Sequence, residues 1–155
     1  MRTLLQRVER AEVRVADAVV GSIGRGLLVF VGVGHADDEA TADALARRIA
    51  ELRIFEDDAG RTNRSLLDVS GEALVVSQFT LYADTSRGRR PGFTDAAAPD
   101  VAERLYERVR VGLRGAGVAR VEGGRFGATM AVELVNDGPF TIWLDSAERA
   151  LPGGS

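Results

Sequence analysis

Two hydroxyls, Ser77 and Thr80, and an amide, Gln78, stand close together in the stretch Leu74-Val75-Val76-Ser77-Gln78-Phe79-Thr80-Leu81-Tyr82, which is apolar on either side of that polar centre. Either hydroxyl can attack an ester if a neighbour removes its proton. The chain holds one histidine, His35, which follows Gly34 in a loop, so a Ser-His-acid triad demands a long-range approach. The plainer reading of His35 is a solvent-exposed or capping residue. There is no cysteine, and the carboxylates are scattered without a recognisable ligand spacing, so the site reads as metal-independent and free of cofactors. What remains is catalysis by positioning and by backbone dipoles. The N–H groups of Gln78, Phe79 and Thr80 are candidate donors to a developing oxyanion, where the loss of one donor typically costs about 3 to 4 kcal/mol. The plain alternative is a core strand whose Ser, Gln and Thr satisfy one another. Left unpartnered in an interior, each would be penalised by roughly 1–3 kcal/mol, which favours a cleft.

Two other stretches carry chemistry-bearing residues. Asn136-Asp137-Gly138-Pro139 reads, taken alone, as a turn between strands, with Asn, Asp and Gly supplying unusual φ and Pro fixing the exit. Arg87, Arg89 and Arg90 lie in Thr85-Ser86-Arg87-Gly88-Arg89-Arg90-Pro91-Gly92, a basic loop broken by Gly and Pro directly after the central stretch. It reads either as a solvated charged loop or as a phosphate contact.

Ser77-Gln78-Phe79-Thr80-Leu81 resembles the SQFTL signature of the D-aminoacyl-tRNA deacylases, and Asn136-Asp137-Gly138-Pro139-Phe140-Thr141 resembles their NxGPxT signature. Two such motifs in order, about sixty residues apart, are far more specific than either alone. The likeness begins at Gln6-Arg7-Val8, passes through Gly26-Leu27-Leu28-Val29, Arg53-Ile54-Phe55, Arg90-Pro91, Gly124-Arg125-Phe126-Gly127-Ala128 and Met130, and covers the chain to about Leu144. It departs at Phe140, where Val is commoner.

The resemblance implies a homodimeric hydrolase that cleaves the ester joining a D-amino acid to tRNA, with glycine mischarged on tRNA(Ala) as a further substrate to test. An aminoacyl ester is already activated, and thus suited to backbone-assisted hydrolysis. Ser77, Gln78, Phe79 and Thr80 would lie beside the scissile bond. Two roles are open there: Thr80 as nucleophile, or the 2′-hydroxyl of the substrate's terminal adenosine assisting in its place. Gly138-Pro139 would be a cis peptide that reaches into the partner subunit's pocket and rejects L-amino acids, with Asn136 in the same motif and Arg7 holding it. Phe126 and Met130 would bound the pocket or the adenosine site. Read from the residues alone, Arg7 is equally a surface arginine, and Phe126 and Met130 are equally ordinary core residues. A non-catalytic homo-oligomer that binds aminoacyl-tRNA or a small amino compound is the alternative, and release of free amino acid by substoichiometric protein separates the two.

The elements that must position these residues are legible as patterns. Leu4, Val8, Val13 and Val15 among charges predict two strand segments or one long bent strand over 2–16, and Gly21–Gly24 a turn or bulge before the apolar run 26–33. Asp37 or Asp38 would cap a helix carrying Ala42, Leu45, Ala46, Ile49 and Leu52. Short strand character at 53–55, a loop through Asn63 and a doubly buried strand over 74–82 follow. A second helix from Pro99 carries Val101, Leu105, Val109 and Leu113 until Gly115 and Gly117, and strands are expected near 118–121, 129–135 and 140–144. This mixture predicts an α+β fold, a mainly antiparallel or barrel-like sheet with two packed helices, as one domain over 1–150 with a frayed tail at 151–155.

At 155 residues, 45% hydrophobic and 28% charged, the chain reads as an ordinary globular domain. A cytoplasmic location is expected, since no leader or membrane-length apolar run is evident. The net charge of −3 does not exclude an RNA partner, because a local patch decides contact. All 20 basic residues are arginine, which suits phosphate and base contacts and fits genomic composition at least as well.

Overall fold

The computed structural model describes residues 1–148. The elements run β1 (Arg2–Val15), β2 (Ala18–Ile23), β3 (Gly26–Gly32), α1 (Glu39–Glu51), β4 (Phe55–Glu56), β5 (Thr62–Arg64), β6 (Glu72–Ser77), a 3₁₀ turn (Phe79–Tyr82), α2 (Pro99–Gly115), β7 (Val121–Gly123) and β8 (Ala131–Asp145). The tail expected at 151–155 lies outside the described residues.

Alternation of apolar and charged residues makes the first segment a single strand, and β1 becomes the axis of the sheet. One edge of β1 is shared, antiparallel, by β3 along Arg2–Val8 and by β2 along Ala11–Val15, and the other edge pairs with β8 from Arg2 to Arg14. Beyond β3 the order continues to β6 and β7, both pairings parallel. The ends curl together: a side chain at Gly21 would meet the Gly123 carbonyl at 2.5 Å, so glycine there lets β2 approach β7. The result is the expected α+β fold with a barrel-like, mostly antiparallel sheet.

β3 and β6 are buried on both faces, which explains their unbroken apolar runs. One face, with Leu27, Val29, Val31, Ala73 and Val75, packs under the helices. The other, with Val8, Val13, Leu28, Leu74 and Val76, fills the curl of the sheet. Asp38, rather than Asp37, caps α1, accepting from the Thr41 N–H and hydroxyl at 2.8 Å. The two helices pack closely enough that a side chain at Gly112 would lie 2.7 Å from Ala46, and Arg108 forks onto Asp43 at 2.7 and 2.9 Å.

Several expectations need correction. The central strand ends at Ser77 instead of running to Tyr82, and the chain turns at once into the 3₁₀ turn, none of whose residues is buried. Of the turn or bulge expected over Gly21–Gly24, the turn does not form, since Gly21–Ile23 ends β2, and the bulge lies just before Gly21, opposite Val13/Arg14. The loop through Asn63 contains β5, which pairs with β4. The segment near 118–121 forms its strand later, over Val121–Gly123, and the two last expected strands are one, β8, because β1 supplies hydrogen bonds along its whole length.

Tyr106 ties α2 to the sheet. Its buried hydroxyl donates to the Val75 carbonyl at 2.8 Å, and burial pushes its pKa up to about 12 from an ordinary value of 10.0. Replacing it in Tyr106→Phe is expected to lower the free energy of urea unfolding by about 1 kcal/mol at neutral pH. The raised folded pKa also sets a sign: the hydroxyl's contribution is complete below the unfolded value and is lost as pH rises toward the folded one. Urea titrations above pH 10 should therefore show the wild type losing stability faster than Tyr106→Phe.

Candidate active site

The polar centre of the first motif sits where β6 runs out. The N–H of Gln78 donates to the Val31 carbonyl at 2.8 Å, extending the β3 pairing by one bond, and it is therefore not available to a ligand. Phe79 and Thr80 open the 3₁₀ turn, where no carbonyl of the turn itself can reach their N–H groups. Both residues are exposed. Of the three backbone donors expected from sequence, the structure thus leaves two. The Gln78 side-chain amide donates to the Thr80 hydroxyl oxygen. An amide N–H is a donor and not a base, so this contact does not activate Thr80 as a nucleophile. Ser77 is half-buried at the strand end.

Around the turn the environment is apolar and firmly propped. The Phe79 ring, 55% exposed, meets Phe93 edge-on with centroids 5.0 Å apart. At the other end Arg2 donates to the Leu81 carbonyl at 3.0 Å and stacks its guanidinium 4.5 Å from the Tyr82 ring centre. The Tyr82 hydroxyl donates to Asp37 at 3.3 Å. Burial, together with Asp37 and Asp145, pushes the Tyr82 pKa well above its ordinary value, so Tyr82 is a neutral donor and not a base. Arg2 and Phe93 were not singled out in the sequence, Asp37 was read only as a possible helix cap, and Tyr82 only as the end of the central stretch. Their signal was weak: Arg2 reads as one more charge alternating along a strand.

The second motif lies inside β8, not in a turn between two strands. Pairing of β1 with β8 jumps from Gln6↔Thr141 to Val8↔Asn136, so Asp137–Phe140 bulge out opposite Arg7. Arg7 is buried, 6% exposed, and holds the bulge: it donates to the Asp137 carbonyl at 3.1 Å and to the Ile54 carbonyl at 2.8 Å. The surface-arginine reading is thereby overturned. Asn136 closes the bulge from within, accepting the Phe140 N–H at 2.8 Å and donating to the Thr141 hydroxyl at 3.0 Å. The departure at Phe140 has a local reason, since its ring lies 4.6 Å from the Arg7 guanidinium, a cation–π contact. The Gly138–Pro139 peptide is cis, and both residues are exposed.

Among the described residues no hydrogen bond or ion pair joins the two motifs within one chain. Arg2, beside the first, and Arg7, under the second, are five residues apart on β1, roughly 17 Å at strand rise, and of opposite parity, so they point to opposite faces. Phe126 and Met130 are half-buried. Phe126 packs on the helix-side core with its ring 6.1 Å from Tyr106, whereas Met130 packs on the second cluster, its sulfur over Gly124. Both lie just past β7, which leaves the sheet at the same end as β6.

Arg87, Arg89 and Arg90 are exposed on a loop closed at its base by Asp84 and Gly92, which exchange hydrogen bonds of 2.7 and 2.9 Å. None of the three forms an ion pair or hydrogen bond among the described residues. His35 is exposed, its Nε2 2.6 Å from the Thr94 carbonyl, and it braces the segment after this loop. Among the described residues no group of three or more His, Cys, Asp or Glu is placed to hold a metal ion, and no helix is long and apolar enough to cross a membrane.

A small α+β domain that presents two backbone donors on an exposed turn, beside an amide–hydroxyl pair, is of a class suited to hold a polarised carbonyl. The D-Tyr-tRNA(Tyr) deacylase family model matches residues 4–145, and the chain belongs to that family. It is 62% identical over 155 residues to a D-aminoacyl-tRNA deacylase of Thermomicrobium roseum, covering 100% of this chain and 99% of that one. It is 62% identical over 147 residues to one of Roseiflexus sp., covering 95% and 94%. Among solved structures it is similar to the c-Myc DNA Unwinding Element Binding Protein, with TM-score 0.89 and 38% identity over 94% of this chain and 99% of that one. A probable eukaryotic D-amino acid tRNA deacylase shares the fold, with TM-score 0.80 and 22% identity over 92% and 97%.

Gly138 has φ +135°, and a side chain there would lie 3.1 Å from the Arg7 guanidinium. Gly138→Ala is expected to destabilise the protein by about 1–3 kcal/mol through backbone strain. Chemical unfolding compared with the wild type checks this; an unchanged midpoint would mean that the bulge is free to relax.

Proposed function

We infer that the chain hydrolyses the ester bond of D-aminoacyl-tRNA, releasing the D-amino acid and tRNA as a chiral proofreading step in translation. The observation that carries this reading is the 3₁₀ turn after Ser77, which leaves the Phe79 and Thr80 N–H groups free and exposed. The ester carbonyl oxygen is read as lying against these donors. Water adds its hydroxide to the carbonyl carbon, negative charge develops on the carbonyl oxygen under the two N–H groups, and the bond to the ribose oxygen breaks. The ribose oxygen takes the proton and becomes the 3′-hydroxyl of the terminal adenosine. The amide–hydroxyl pair Gln78–Thr80 orients water or the 2′-hydroxyl, and no protein nucleophile is required.

The pocket is completed by a second copy of the chain. Supporting this, Arg2 beside the first motif and Arg7 under the second lie five residues apart on β1 and face opposite sides of the sheet, and Gly138 and Pro139 are exposed on a bulge held by Arg7 and Asn136. β8, 15 residues long, pairs only with β1 among the described residues, leaving an open edge and the exposed Trp143 available to a partner. In this reading the partner's bulge closes the pocket against an L side chain, a discrimination by exclusion that needs unyielding backbone. Phe126 and Met130 border the pocket, and Arg87, Arg89 and Arg90 contact phosphates of the tRNA. A cytoplasmic setting follows from that substrate.

The deciding experiment incubates substoichiometric protein with matched D- and L-tyrosyl-tRNA in the presence of chelator. D-tyrosine should be released over many turnovers and the L-ester spared; equal rates, or no turnover, would overturn the reading. Thr80→Ala should lower kcat by less than about tenfold, because Thr80 lacks a base, whereas a nucleophile's removal would cost several orders of magnitude. Neutralising Arg87, Arg89 and Arg90 together should weaken tRNA binding and flatten its log–log salt dependence by roughly two units. An unchanged slope returns that loop to the solvent.

A further inference from the structure

We propose that Arg2 is a positioning residue that holds the Phe79–Tyr82 turn, and with it the two backbone donors, in register with the sheet. Its effect on rate rests on the deacylase reading; its effect on the turn does not. Few side-chain hydrogen bonds other than those of Arg2 tie the turn to the rest of the fold. None of its residues is buried, and its N-cap residue, Gln78, makes no side-chain cap, its amide being engaged with Thr80. The entry is fixed by the bond from the Gln78 N–H to Val31. The exit depends on Arg2, which applies three contacts at once: Nη1 donates to the Leu81 carbonyl at 3.0 Å, the guanidinium plane lies 4.5 Å from the Tyr82 ring centre, and Nε donates to Asp145 at 3.1 Å.

Each contact uses a different property of the guanidinium. One arm, Nη1, satisfies a carbonyl that the turn leaves open, the flat face covers an aromatic ring, and Nε meets a carboxylate whose side chain is only 8% exposed. Arg2 is itself fixed, because its backbone is paired with Gly32 of β3 on one side and Asp145 of β8 on the other. Beneath the turn, Gly32 and Gly34 provide the space: side chains there would come within 3.1 Å of Leu81 and 2.8 Å of Tyr82. The Tyr82 hydroxyl bond to Asp37, at 3.3 Å, is the weaker part of the latch. A lysine in place of Arg2 would keep the charge and lose both the fork and the face.

The test reads the turn and the rate separately. In Arg2→Ala, amide hydrogen exchange at Leu81 and Ala83, whose N–H groups bond to Gln78 and Thr80 at 3.3 and 3.1 Å, should accelerate while amides of β3 and β6 keep their protection. With D-tyrosyl-tRNA, kcat should fall roughly 10- to 100-fold, the scale of a small misplacement of catalytic groups, with KM and the salt dependence of tRNA binding unchanged. Arg2→Lys should resemble Arg2→Ala, and Tyr82→Phe, which keeps the ring, should stay close to wild type. Unchanged exchange at Leu81 and Ala83 overturns the proposal, as does acceleration spread evenly over the sheet. A loss confined to KM with a flatter salt slope also overturns it, because Arg2 would then be a phosphate contact. Should Arg2→Ala fail to fold, Arg2→Lys must show the same local pattern or the proposal falls. An inactive wild type would sink the deacylase reading, while the exchange experiment would still decide the role of Arg2.

Discussion

The hydrogen-bonding of β1 on both edges is the constraint from which the rest follows. A strand paired on both sides cannot slip by one residue without turning every side chain to the opposite face. Its parity is therefore fixed: Thr3, Leu5 and Arg7 go to the helix side, and Arg2, Leu4 and Gln6 to the other. Both motifs take their positions from that parity. Arg2 meets the turn that ends the first motif, and Arg7 meets the bulge that contains the second.

The bulge is a local exception to this pairing, and its chemistry is consistent with being built rather than tolerated. Four residues leave the ladder at Asp137–Phe140, which frees backbone groups that must find other partners. Asn136 accepts the Phe140 N–H, and Arg7 donates to the Asp137 carbonyl. A buried guanidinium is itself costly unless its donors are satisfied. Arg7 meets that demand with the Ile54 carbonyl, the Asp137 carbonyl and, at 3.4 Å, the Asp137 carboxylate, with the Phe140 ring over its face. The side chain that stabilises the bulge is stabilised by it.

Much of this was legible in the sequence, and the misses share a cause. Both helices, the Gly117 stop, the doubly buried runs at 26–33 and 74–76 and the α+β class follow from periodicity and capping, which are local. The strand expected through Tyr82 failed because Phe79, Leu81 and Tyr82 resemble core residues in composition, yet the pairing partner runs out: β3 ends at Gly32. β8 was split because Asn-Asp-Gly-Pro is turn chemistry, and nothing local reveals that β1 will bridge it. Arg7 was ambiguous for the same reason, since its burial depends on a carbonyl forty-seven positions away, at Ile54. Arg7, which holds the second motif, was legible only through the resemblance, and Arg2, which meets the turn ending the first, was not legible at all.

Catalysis by backbone N–H groups cannot be tuned by changing the catalytic residue, because every residue except proline carries the same donor. Only the placement of the peptide can be tuned, and placement is set by neighbours. A donor displaced by a fraction of an ångström from a developing oxyanion loses much of its effect, since the interaction depends on preorganisation and not on adjustment during the reaction. On the proposed mechanism the side chains of Phe79 and Thr80 are less constrained by the chemistry than Arg2, Gly32 and Gly34, which pack against Leu81 and Tyr82 of the turn that carries the two N–H groups. In a site of this kind the residues that matter most to rate sit beneath the turn rather than on it.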